Sequence, residues 1–424
     1  MNILIIGSGG REHAIINSIS RSNRCSKIFA LPGNGGTELL AENVAGDVND
    51  FELIKKITLK NKISLVFVGP EDPIVNGIYD FFKSDPQLKD INIIAPSKQA
   101  GYLEGSKDFA KDFMEKYNIP TAKHKTFSTE NLDDADKFLE SMRPPYVLKA
   151  DGLAAGKGVL IIQDLHEAKS ELRNMILEKK FGDSSAKVVI EEFLDGIELS
   201  CFVLTDGINY KVLPFAKDYK KIGEGDTGLN TGGMGAISPV PFLDDKFLSK
   251  IQNKIIKPTV GGIIKEKMPY NGFIFIGLIK VKDEPFVIEY NVRMGDPETE
   301  VVFPRLNNDM LELLDSMGTP KFNDIKLSIN NNHAATVILV SGGYPKSYEK
   351  EKTITGLNDL SNDLIFHAGT NKKDNTFITN GGRVLAVTSM AKDFNQALKS
   401  SYSKIEKINF DGMYYRKDIG FDLL

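Results

Sequence analysis

Short apolar runs alternate with helical stretches over the first hundred residues of the chain. Each run ends in a loop rich in glycine or proline. Short buried strands separated by helices are typical of a parallel sheet, so we expect a doubly wound domain that binds its ligand at the carboxyl ends of the strands. The predicted strands are Ile3–Ile6, Lys27–Leu31, Ile63–Val68 and Ile91–Ala95, followed by loops at Gly7–Gly10, Pro32–Gly36, Gly69–Pro73 and Pro96–Ser97.

The remaining pattern predicts a mixed middle region and a small α+β domain at the end. We place one domain at 1–100 and the last at 325–424. The middle region contains a glycine-rich loop, Gly223–Gly235. The predicted strands are Tyr146–Ala150, Val159–Ile162, Val188–Glu191, Ala335–Val340, Leu364–His367 and Gly382–Val387, and the predicted helices are Ser106–Tyr117, Leu165–Lys179 and Asp393–Ile408.

The composition and net charge of the chain limit which classes of protein and partner are expected. With 424 residues, 41% hydrophobic and 26% charged, the chain is typical of a globular protein of several domains. The net charge of -4 gives no reason to expect nucleic acid as a partner, so an anionic ligand needs local basic groups. Cys25 and Cys201 lack disulfide or metal spacing, and no signal peptide or apolar run of about 20 residues is present. We expect a cytoplasmic protein with no membrane partner.

The first loop, Gly7-Ser8-Gly9-Gly10, lies between a strand and a helix, where backbone N–H groups favour an anion. One interpretation is that this loop binds a dinucleotide. However, the last position of the glycine fingerprint is Glu12, and the second strand ends in Leu31-Pro32-Gly33 without an acidic residue for a ribose. These two features favour a phosphate-bearing sugar over NAD, although a tight turn without a ligand remains open.

A second loop joins two predicted strands within Tyr146–Val159. Its glycines allow close approach of the backbone, and its lysines supply point charges for phosphate oxygens. Strands on both sides and the spacing exclude a P-loop. The residues concerned are Lys149, Gly152, Gly156, Lys157 and Gly158.

Carboxylates follow the next predicted strand, and a long glycine-rich loop comes after them. Glu191 and Glu198 are able to accept from an adenine amino group and from ribose hydroxyls, but an ordinary charged strand end is an equal alternative. Ordering the glycine-rich loop Glu224–Gly235 costs conformational entropy, which suggests that this loop binds a ligand or takes part in catalysis.

The most informative segment is Phe286–Glu298. Strand alternation places Glu289, Asn291 and Arg293 on one face and Tyr290 with Val292 on the other. Two oxygen ligands and a guanidinium suit a Mg²⁺ that bridges nucleotide phosphates beside a clamp for a carboxylate. An exposed edge strand is the alternative.

Taken together, these motifs resemble the glycinamide ribonucleotide synthetase family of the ATP-grasp superfamily along essentially the whole chain. The most specific run is Asn230–Ala236. The other matching runs are Gly7–His13, Pro32–Thr37, Gly69–Pro73, Leu103–Lys107, Lys149–Val159, Glu191–Gly196, Glu289–Glu298, Phe366–Thr370 and Asn380–Leu385.

The resemblance implies an N-terminal domain, an ATP-grasp core at 101–120 and 187–324, a mobile lid at 121–186 and a C-terminal domain, arranged as in biotin carboxylase. It implies ATP and Mg²⁺ or Mn²⁺ as cofactors and glycine and 5-phosphoribosylamine as substrates. ATP would activate glycine to glycyl phosphate, and the amine would displace phosphate to form an amide. We expect a monomer or small homo-oligomer.

The resemblance also implies residue roles. Glu289 and Asn291 match metal ligands, and Arg293 matches a catalytic residue that holds the carboxylate substrate. ATP contacts are implied for Lys107, Lys149, Gly152, Gly156, Lys157, Gly158, Glu191, Phe193, Leu194 and Glu198. Substrate contacts are implied for Gly9, Gly10, Glu12, Glu71, Asp72, Pro73, Asp226, Gly232, Gly233, Arg293 and Asp296.

Two departures from the family pattern leave roles open. Many relatives have Gln-Asp-His-Lys where this chain has Lys217-Asp218-Tyr219-Lys220, so no histidine role transfers. Gly277 stands where other ATP-grasp enzymes carry an acidic metal ligand, so a third ligand is unassigned. The competing hypotheses are another ATP-grasp ligase of purine ribonucleotides, a dinucleotide-dependent oxidoreductase and a nucleotide-binding regulator without catalysis.

Overall fold

The structure, a computed structural model, describes residues 1–154, 158–360 and 363–423. The predicted fold class is confirmed: a parallel N-terminal sheet is followed by antiparallel sheets of the ATP-grasp type and a small C-terminal domain. The predicted Gly156 and Lys157 lie outside the described residues.

The N-terminal sheet is parallel throughout, as its buried apolar runs predict. Its elements are β1 (Asn2–Gly7), α1 (Gly10–Ile19), β2 (Lys27–Pro32), β3 (Glu42–Asn43), α2 (Phe51–Lys60), β4 (Ile63–Val68), α3 (Glu71–Val75), α4 (Ile78–Ser84) and β5 (Asn92–Ile94). The strand order is β3-β2-β1-β4-β5. The order reverses between β1 and β4, and the loops after these two strands therefore open into one crevice.

A separate antiparallel sheet corresponds to the predicted lid. After α5 (Lys98–Gly105) and α6 (Lys107–Lys116) come β6 (His124–Ser128), α7 (Leu132–Glu140), β7 (Tyr146–Ala150), β8 (Val159–Ile162), α8 (Leu165–Ile176) and β9 (Lys187–Glu192). The order β6-β9-β7-β8 places β9 between β6 and β7. The strand pairing of this sheet thus extends beyond the predicted lid boundary at residue 186.

The central sheet supplies the floor of the site. The elements of this region are β10 (Ile197–Thr205), β11 (Tyr210–Val212), β12 (Lys217–Asp218), β13 (Lys221–Gly223), β14 (Thr227–Asn230), β15 (Gly235–Ser238), α9 (Asp245–Ile251), α10 (Lys257–Lys265), β16 (Gly272–Val281), β17 (Glu284–Asn291), α11 (Thr299–Val302), α12 (Met310–Asp315) and α13 (Pro320–Asp324). The order is β11-β10-β16-β17, and all pairs are antiparallel. β13 and β14 form a separate hairpin.

The C-terminal sheet contains two strands from the middle of the chain. The elements of the C-terminal region are β18 (His333–Val340), β19 (Thr353–Ile354), β20 (Leu364–His367), β21 (Thr370–Lys373), β22 (Thr376–Thr379), β23 (Arg383–Ala391) and α14 (Phe394–Ile405), of which β19, β22 and β21 form a separate small sheet. The order is β12-β15-β18-β23-β20. Pairing of β15 with β18 therefore crosses the predicted domain boundary at residue 325 and connects the glycine-rich segment to the C-terminal domain.

Side-chain caps fix where the longer helices begin. In each case an Asp or Ser side chain accepts a hydrogen bond from a backbone N–H three residues later, which satisfies a donor that has no partner within the helix. These capping residues are Asp50, Ser97, Ser106, Asp164, Asp244, Asp309 and Asp393.

Two apolar cores join the N-terminal sheet to the central sheet, whereas the lid has its own core. One shared core packs Leu4 and Val66 with Ile276 and Tyr290, among others. The lid core contains Leu148 and Ile190 with the inner faces of α7 and α8. The floor of the site is thus fixed to the N-terminal domain, and the lid is a separately packed layer. No helix among the described residues has the length and apolar character that crossing a membrane requires.

Candidate active site

One cavity of about 950 Å³ lies between the N-terminal loops, the lid, the central sheet and the C-terminal domain. The residues predicted from the sequence that line it are Gly9, Glu12, Glu71, Lys107, Lys149, Gly158, Glu191, Phe193, Leu194, Glu198, Asp226, Gly232, Glu289, Asn291, Arg293 and Asp296. The structure thus brings together groups from the first glycine loop, the lid, the central sheet and the glycine-rich segment.

Five predicted residues do not line the cavity. They are Gly10, Asp72, Pro73, Gly152 and Gly233. The buried Glu300 carboxyl packs against Gly10, on the side of the loop where a side chain would stand. Gly233 has φ +117, which favours glycine, and therefore shapes its loop through the backbone.

The floor of the cavity is one face of the central sheet. Strand register places Ser200 opposite Gly277, and Gly277 opposite Glu289. Tyr290 and Val292 belong to the apolar core on the other side. The predicted division of this strand into a polar and an apolar face is therefore confirmed for these residues.

Glu289 and Asn291 offer oxygen atoms to the cavity. Asn291 is 9% exposed, and among the described residues its buried Nδ2 has no hydrogen-bond partner. No cluster of three His, Cys, Asp or Glu suited to a metal occurs in the described parts of the chain. The donor set nevertheless fits Mg²⁺, because this ion is commonly bound by one or two protein oxygens together with nucleotide phosphates and water.

Arg293 is held by acceptors of the protein itself. Its Nε donates to Glu71 Oε2 at 3.1 Å, and its Nη2 lies 2.8 Å from Glu104 Oε1. Further bonds reach Asn291 Oδ1 and the Met294 carbonyl, each at 3.2 Å. Since a guanidinium has five N–H donors, a bidentate grip on a substrate carboxylate requires Glu71 or Glu104 to give way.

The two carboxyls beside Arg293 differ in charge state. Burial alone would raise the pKa of Glu71, but Arg293 and Arg11 lower it to about 2. Burial raises the pKa of Glu104 to about 7 although Arg293 acts in the opposite direction. Glu71 therefore stays ionised, and Glu104 is close to half-protonated at neutral pH. The sequence did not predict that Glu71 and Glu104 contact Arg293, because these residues are far apart along the chain.

Two lysines share Glu191 at the lid side of the cavity. Lys149 Nζ and Lys111 Nζ each lie 3.0 Å from Glu191 Oε2. Among the described residues, the buried Oε1 of Glu191 has no hydrogen-bond partner and is available to a donor such as an amino group. Burial lowers the pKa of Lys111 to about 8, although Glu191 counteracts it. Sequence reasoning missed Lys111, which lies within a predicted helix without a motif of its own.

Lys107 connects the start of α6 to the lid. Its Nζ donates to the carbonyl of Gly152 at 3.2 Å, and its backbone N–H donates to the Asp151 carbonyl at 3.1 Å. The Asp151 carboxylate accepts from Ser106 Oγ and from the Asp108 N–H. Lys107, which was predicted to contact phosphate, therefore lies beside Asp151 and Gly152, just after β7.

The segment Lys217-Asp218-Tyr219-Lys220, which differs from the family pattern, contributes Lys217, Asp218 and Lys220 to the cavity wall. Lys220 Nζ contacts Glu198 Oε2 at 2.8 Å, which lowers the pKa of Glu198. Lys217 Nζ and the Tyr219 hydroxyl reach Asp422 at 3.2 and 2.8 Å. Tyr219 is only 1% exposed, and its hydroxyl ties this segment to Asp422.

The N-terminal loop is tied to the loop after β17. The Gly9 N–H donates to Glu12 Oε2 at 2.6 Å, and the Arg11 N–H donates to Asp296 Oδ2 at 3.2 Å. Arg11 also bonds Glu12 Oε1 at 2.5 Å and the Met294 carbonyl at 3.1 Å. Glu12 thus supports the glycine loop and is itself paired with an arginine.

Two arginines of the C-terminal region hold the glycine-rich segment. Arg383 Nη1 donates to the Gly232 carbonyl at 2.6 Å. Arg416, with no exposed side-chain surface, bonds Asp226 Oδ1 at 2.6 Å and Asp418 Oδ1 at 2.8 Å. Asp226, predicted as a substrate contact, therefore also has a structural partner. The sequence indicated neither arginine as a site residue.

Comparisons with known proteins agree with this architecture. Three domains of phosphoribosylglycinamide synthetase match the chain: the N domain over residues 1–104, the ATP-grasp (A) domain over 105–299 and the C domain over 334–422. Phosphoribosylamine–glycine ligase of Caldanaerobacter subterraneus subsp. tengcongensis is 44% identical over 99% of this chain and 99% of that protein.

Two solved structures extend the comparison. Phosphoribosylamine–glycine ligase of Thermotoga maritima is 34% identical, with a TM-score of 0.85, over 99% of this chain and 100% of that one. Biotin carboxylase of Campylobacter jejuni is 15% identical, with a TM-score of 0.74, over 99% of this chain and 94% of that one. The second likeness concerns the fold alone.

Proposed function

The chain belongs to the phosphoribosylglycinamide synthetase family, and we propose on this basis that it joins glycine to 5-phosphoribosylamine with cleavage of ATP. The products are glycinamide ribonucleotide, ADP and phosphate, which makes the protein a carbon–nitrogen ligase of purine biosynthesis. The observation that carries the proposal is a single cavity that combines the lysines at the lid, the oxygen ligands of the central sheet and the N-terminal glycine loop.

The reaction has two steps. The carboxylate of glycine first attacks the γ-phosphorus of ATP, which gives glycyl phosphate and ADP. The amine of 5-phosphoribosylamine then attacks the acyl carbon and phosphate leaves. Neither step needs a covalent enzyme intermediate, so the contribution of the protein is positioning and stabilisation of charge.

On the ATP side, we assign Lys107 and Lys149 to the phosphates. Lys149 is buried and Lys107 is half-buried, and both line the cavity. Phosphate oxygens would replace their present partners, the Glu191 carboxylate and the Gly152 carbonyl. The free Oε1 of Glu191 supports its role as acceptor from the adenine amino group. Phe193 and Leu194 follow it along the chain, and Glu198 would accept from the ribose.

The metal belongs to the face of Glu289 and Asn291. These side chains would hold a Mg²⁺ or Mn²⁺ together with the nucleotide phosphates. The ion would neutralise charge on the phosphoryl group during its transfer. The fit rests on the oxygen donors that this face turns to the cavity.

On the acceptor side, we assign Arg293 to the glycine carboxylate and the loop at Gly9 to 5-phosphoribosylamine. Arg293 adjoins the metal face through its bond to Asn291, which suits a carboxylate that is about to receive a phosphoryl group. Gly9 opens to the cavity at the crevice between β1 and β4. The proposal includes a cytoplasmic location, in keeping with two free and separate cysteines.

An omission experiment tests this function. ADP and phosphate should form only when glycine, 5-phosphoribosylamine, ATP and Mg²⁺ are all present. Equal turnover when alanine replaces glycine would contradict the proposal, and so would a requirement for NAD. Turnover with another purine-pathway ribonucleotide in place of the amine would favour the competing ATP-grasp ligase.

A further inference from the structure

Glu298 is a carboxyl group of the cavity that has no role in the assignments above. It stands just before α11, is 2% exposed and lines the cavity. Ser200 Oγ donates to its Oε1 at 2.9 Å. A side chain at position 295 would overlap the Glu298 carboxyl, so Gly295 leaves the space that this group occupies. Glu298 is therefore held in place by a neighbour on either side.

The position of Glu298 across the floor is set by strand register. Its hydrogen-bond partner Ser200 is opposite Gly277, and Gly277 is opposite Glu289. Two strand spacings separate Ser200 from Glu289, which is roughly 10 Å. Gly277, the residue between them in this register, carries no side chain. A Cβ at this position would lie 3.2 Å from Glu289 Cγ.

The two carboxyl groups, which both line the cavity, stand in different environments. The side of Glu289 and Asn291 is the metal face. The side of Glu298 adjoins Asp296, which bonds the N-terminal loop through the Arg11 N–H. An amine that enters from the N-terminal loop would therefore meet Glu298, while the phosphate of an acyl phosphate would face Glu289.

The electrostatic setting of Glu298 fits proton transfer near neutral pH. Burial, together with the charge of Asp218, raises the pKa of Glu298 to about 7, although Ser200 and Lys220 act against this rise. The charged and titratable groups that act on Glu298 or are acted on by it are Asp218, Lys220, Arg293, Arg383 and Glu300. A base of this strength accepts a proton at neutral pH and releases it again.

We propose that Glu298 is the catalytic residue that accepts the proton of the attacking amine. The inference rests on the proposed function. In this step the nitrogen lone pair forms the C–N bond to the acyl carbon of glycyl phosphate. The C–O bond to phosphate breaks, and phosphate leaves with its electron pair. One N–H proton passes to the Glu298 carboxylate and from there to solvent.

Glu300→Gln provides a matched control for Glu298→Gln, because Glu300 lies two residues further along the chain. It has no exposed surface, and both of its carboxyl oxygens lack a hydrogen-bond partner among the described residues. Burial raises the pKa of Glu300 well above its usual value. Unlike Glu298, it does not line the cavity. Glu300→Gln therefore changes a buried carboxyl group outside the cavity.

The test is the pH dependence of kcat at saturating ATP, Mg²⁺, glycine and 5-phosphoribosylamine. In the unmodified protein, kcat should rise with pH through about 7, since the carboxylate form is the base. Glu298→Gln should lower kcat by about 100-fold or more and remove this acidic limb. The KM values for ATP and glycine should stay within about threefold, because these substrates bind before the proton moves. Glu300→Gln should keep the limb.

Several outcomes would overturn the proposal. One is a Glu298→Gln protein that keeps the acidic limb and loses less than about tenfold in kcat. Another is a Glu300→Gln protein that loses the limb to the same extent. If Glu298→Gln does not fold, as judged by its thermal transition, Glu298→Asp decides: a lower kcat with the acidic limb displaced to a different pH supports the proposal, and an unchanged limb with an unchanged kcat overturns it. A protein that forms no ADP with all substrates present would instead refute the proposed function.

Discussion

Arg383 and Asp296 join the C-terminal domain to the wall of the active site. Arg383 Nη1 lies 3.0 Å from Asp296 Oδ1 and donates to the Asp296 carbonyl at 2.8 Å. The same nitrogen reaches the Gly232 carbonyl at 2.6 Å. One guanidinium on β23 thus fixes two loops that border the cavity, and these loops lie 87 and 151 residues earlier in the chain.

Replacing this guanidinium should loosen both loops. Arg383→Gln loses the ion pair and the bonds to the carbonyls, so hydrogen exchange in residues 230–233 should become faster and the KM for 5-phosphoribosylamine should rise. Arg143→Gln, at an exposed position in the lid, is the control. Unchanged exchange in 230–233 would show that Arg383 is not what holds this loop.

Glu289→Gln tests the metal face. The variant keeps the shape of the side chain but loses a charge that balances the ion, so kcat/KM should fall on the order of 100-fold or more, and more steeply at low Mg²⁺. Glu284→Gln, at the start of the same strand and outside the cavity lining, is the control. If Glu289→Gln turned over normally at low Mg²⁺, the metal would have to bind elsewhere.

Arg293→Lys separates the carboxylate role from nucleotide binding. Lysine keeps the charge but loses the planar fork that contacts Glu71 and Glu104, so the KM for glycine should rise while the affinity for ATP remains nearly intact. Kinetics with glycine and ATP varied separately measure both effects. A variant with weaker ATP binding and normal use of glycine would show that the assigned role is wrong.

Asp226→Asn distinguishes a substrate contact from a structural one. If Asp226 mainly holds the buried Arg416, the free energy of unfolding should fall by about 1 kcal/mol, a modest loss because Asp226 is part-exposed and Asp418 remains. Urea denaturation measures this change, with Asp374→Asn in the turn after β21 as the control. A raised KM for 5-phosphoribosylamine at unchanged stability would support the substrate role instead.

The lid loop offers a test of nucleotide binding without catalysis. Hydrogen exchange across residues 152–158 should slow when ATP binds, because the predicted phosphate-binding lysine of this segment, Lys157, then has phosphate to contact. Exchange in β18, at the centre of the C-terminal sheet, should stay constant and serves as the reference. No change in 152–158 at saturating ATP would contradict the assignment of this loop.

The sequence determined the secondary structure that carries the motifs. The strand Ile63–Val68 is found with the predicted bounds, because an apolar run between a polar segment and Gly69-Pro70 has few alternatives. The same holds for Tyr146–Ala150 and Val159–Ile162. Alternation at the end of β17 was also informative, since Tyr290 packs in the apolar core and its neighbour Glu289 does not.

Only the tertiary structure decided which strands share a sheet and which side chains meet. β9 pairs with β6 and β7, and β15 with β18, because pairing depends on contacts between segments that are distant along the chain. Ser200 meets Glu298 across 98 residues. A local sequence pattern predicts whether a side chain is buried. Its pKa and its ion pairs depend in addition on which neighbours the fold places beside it.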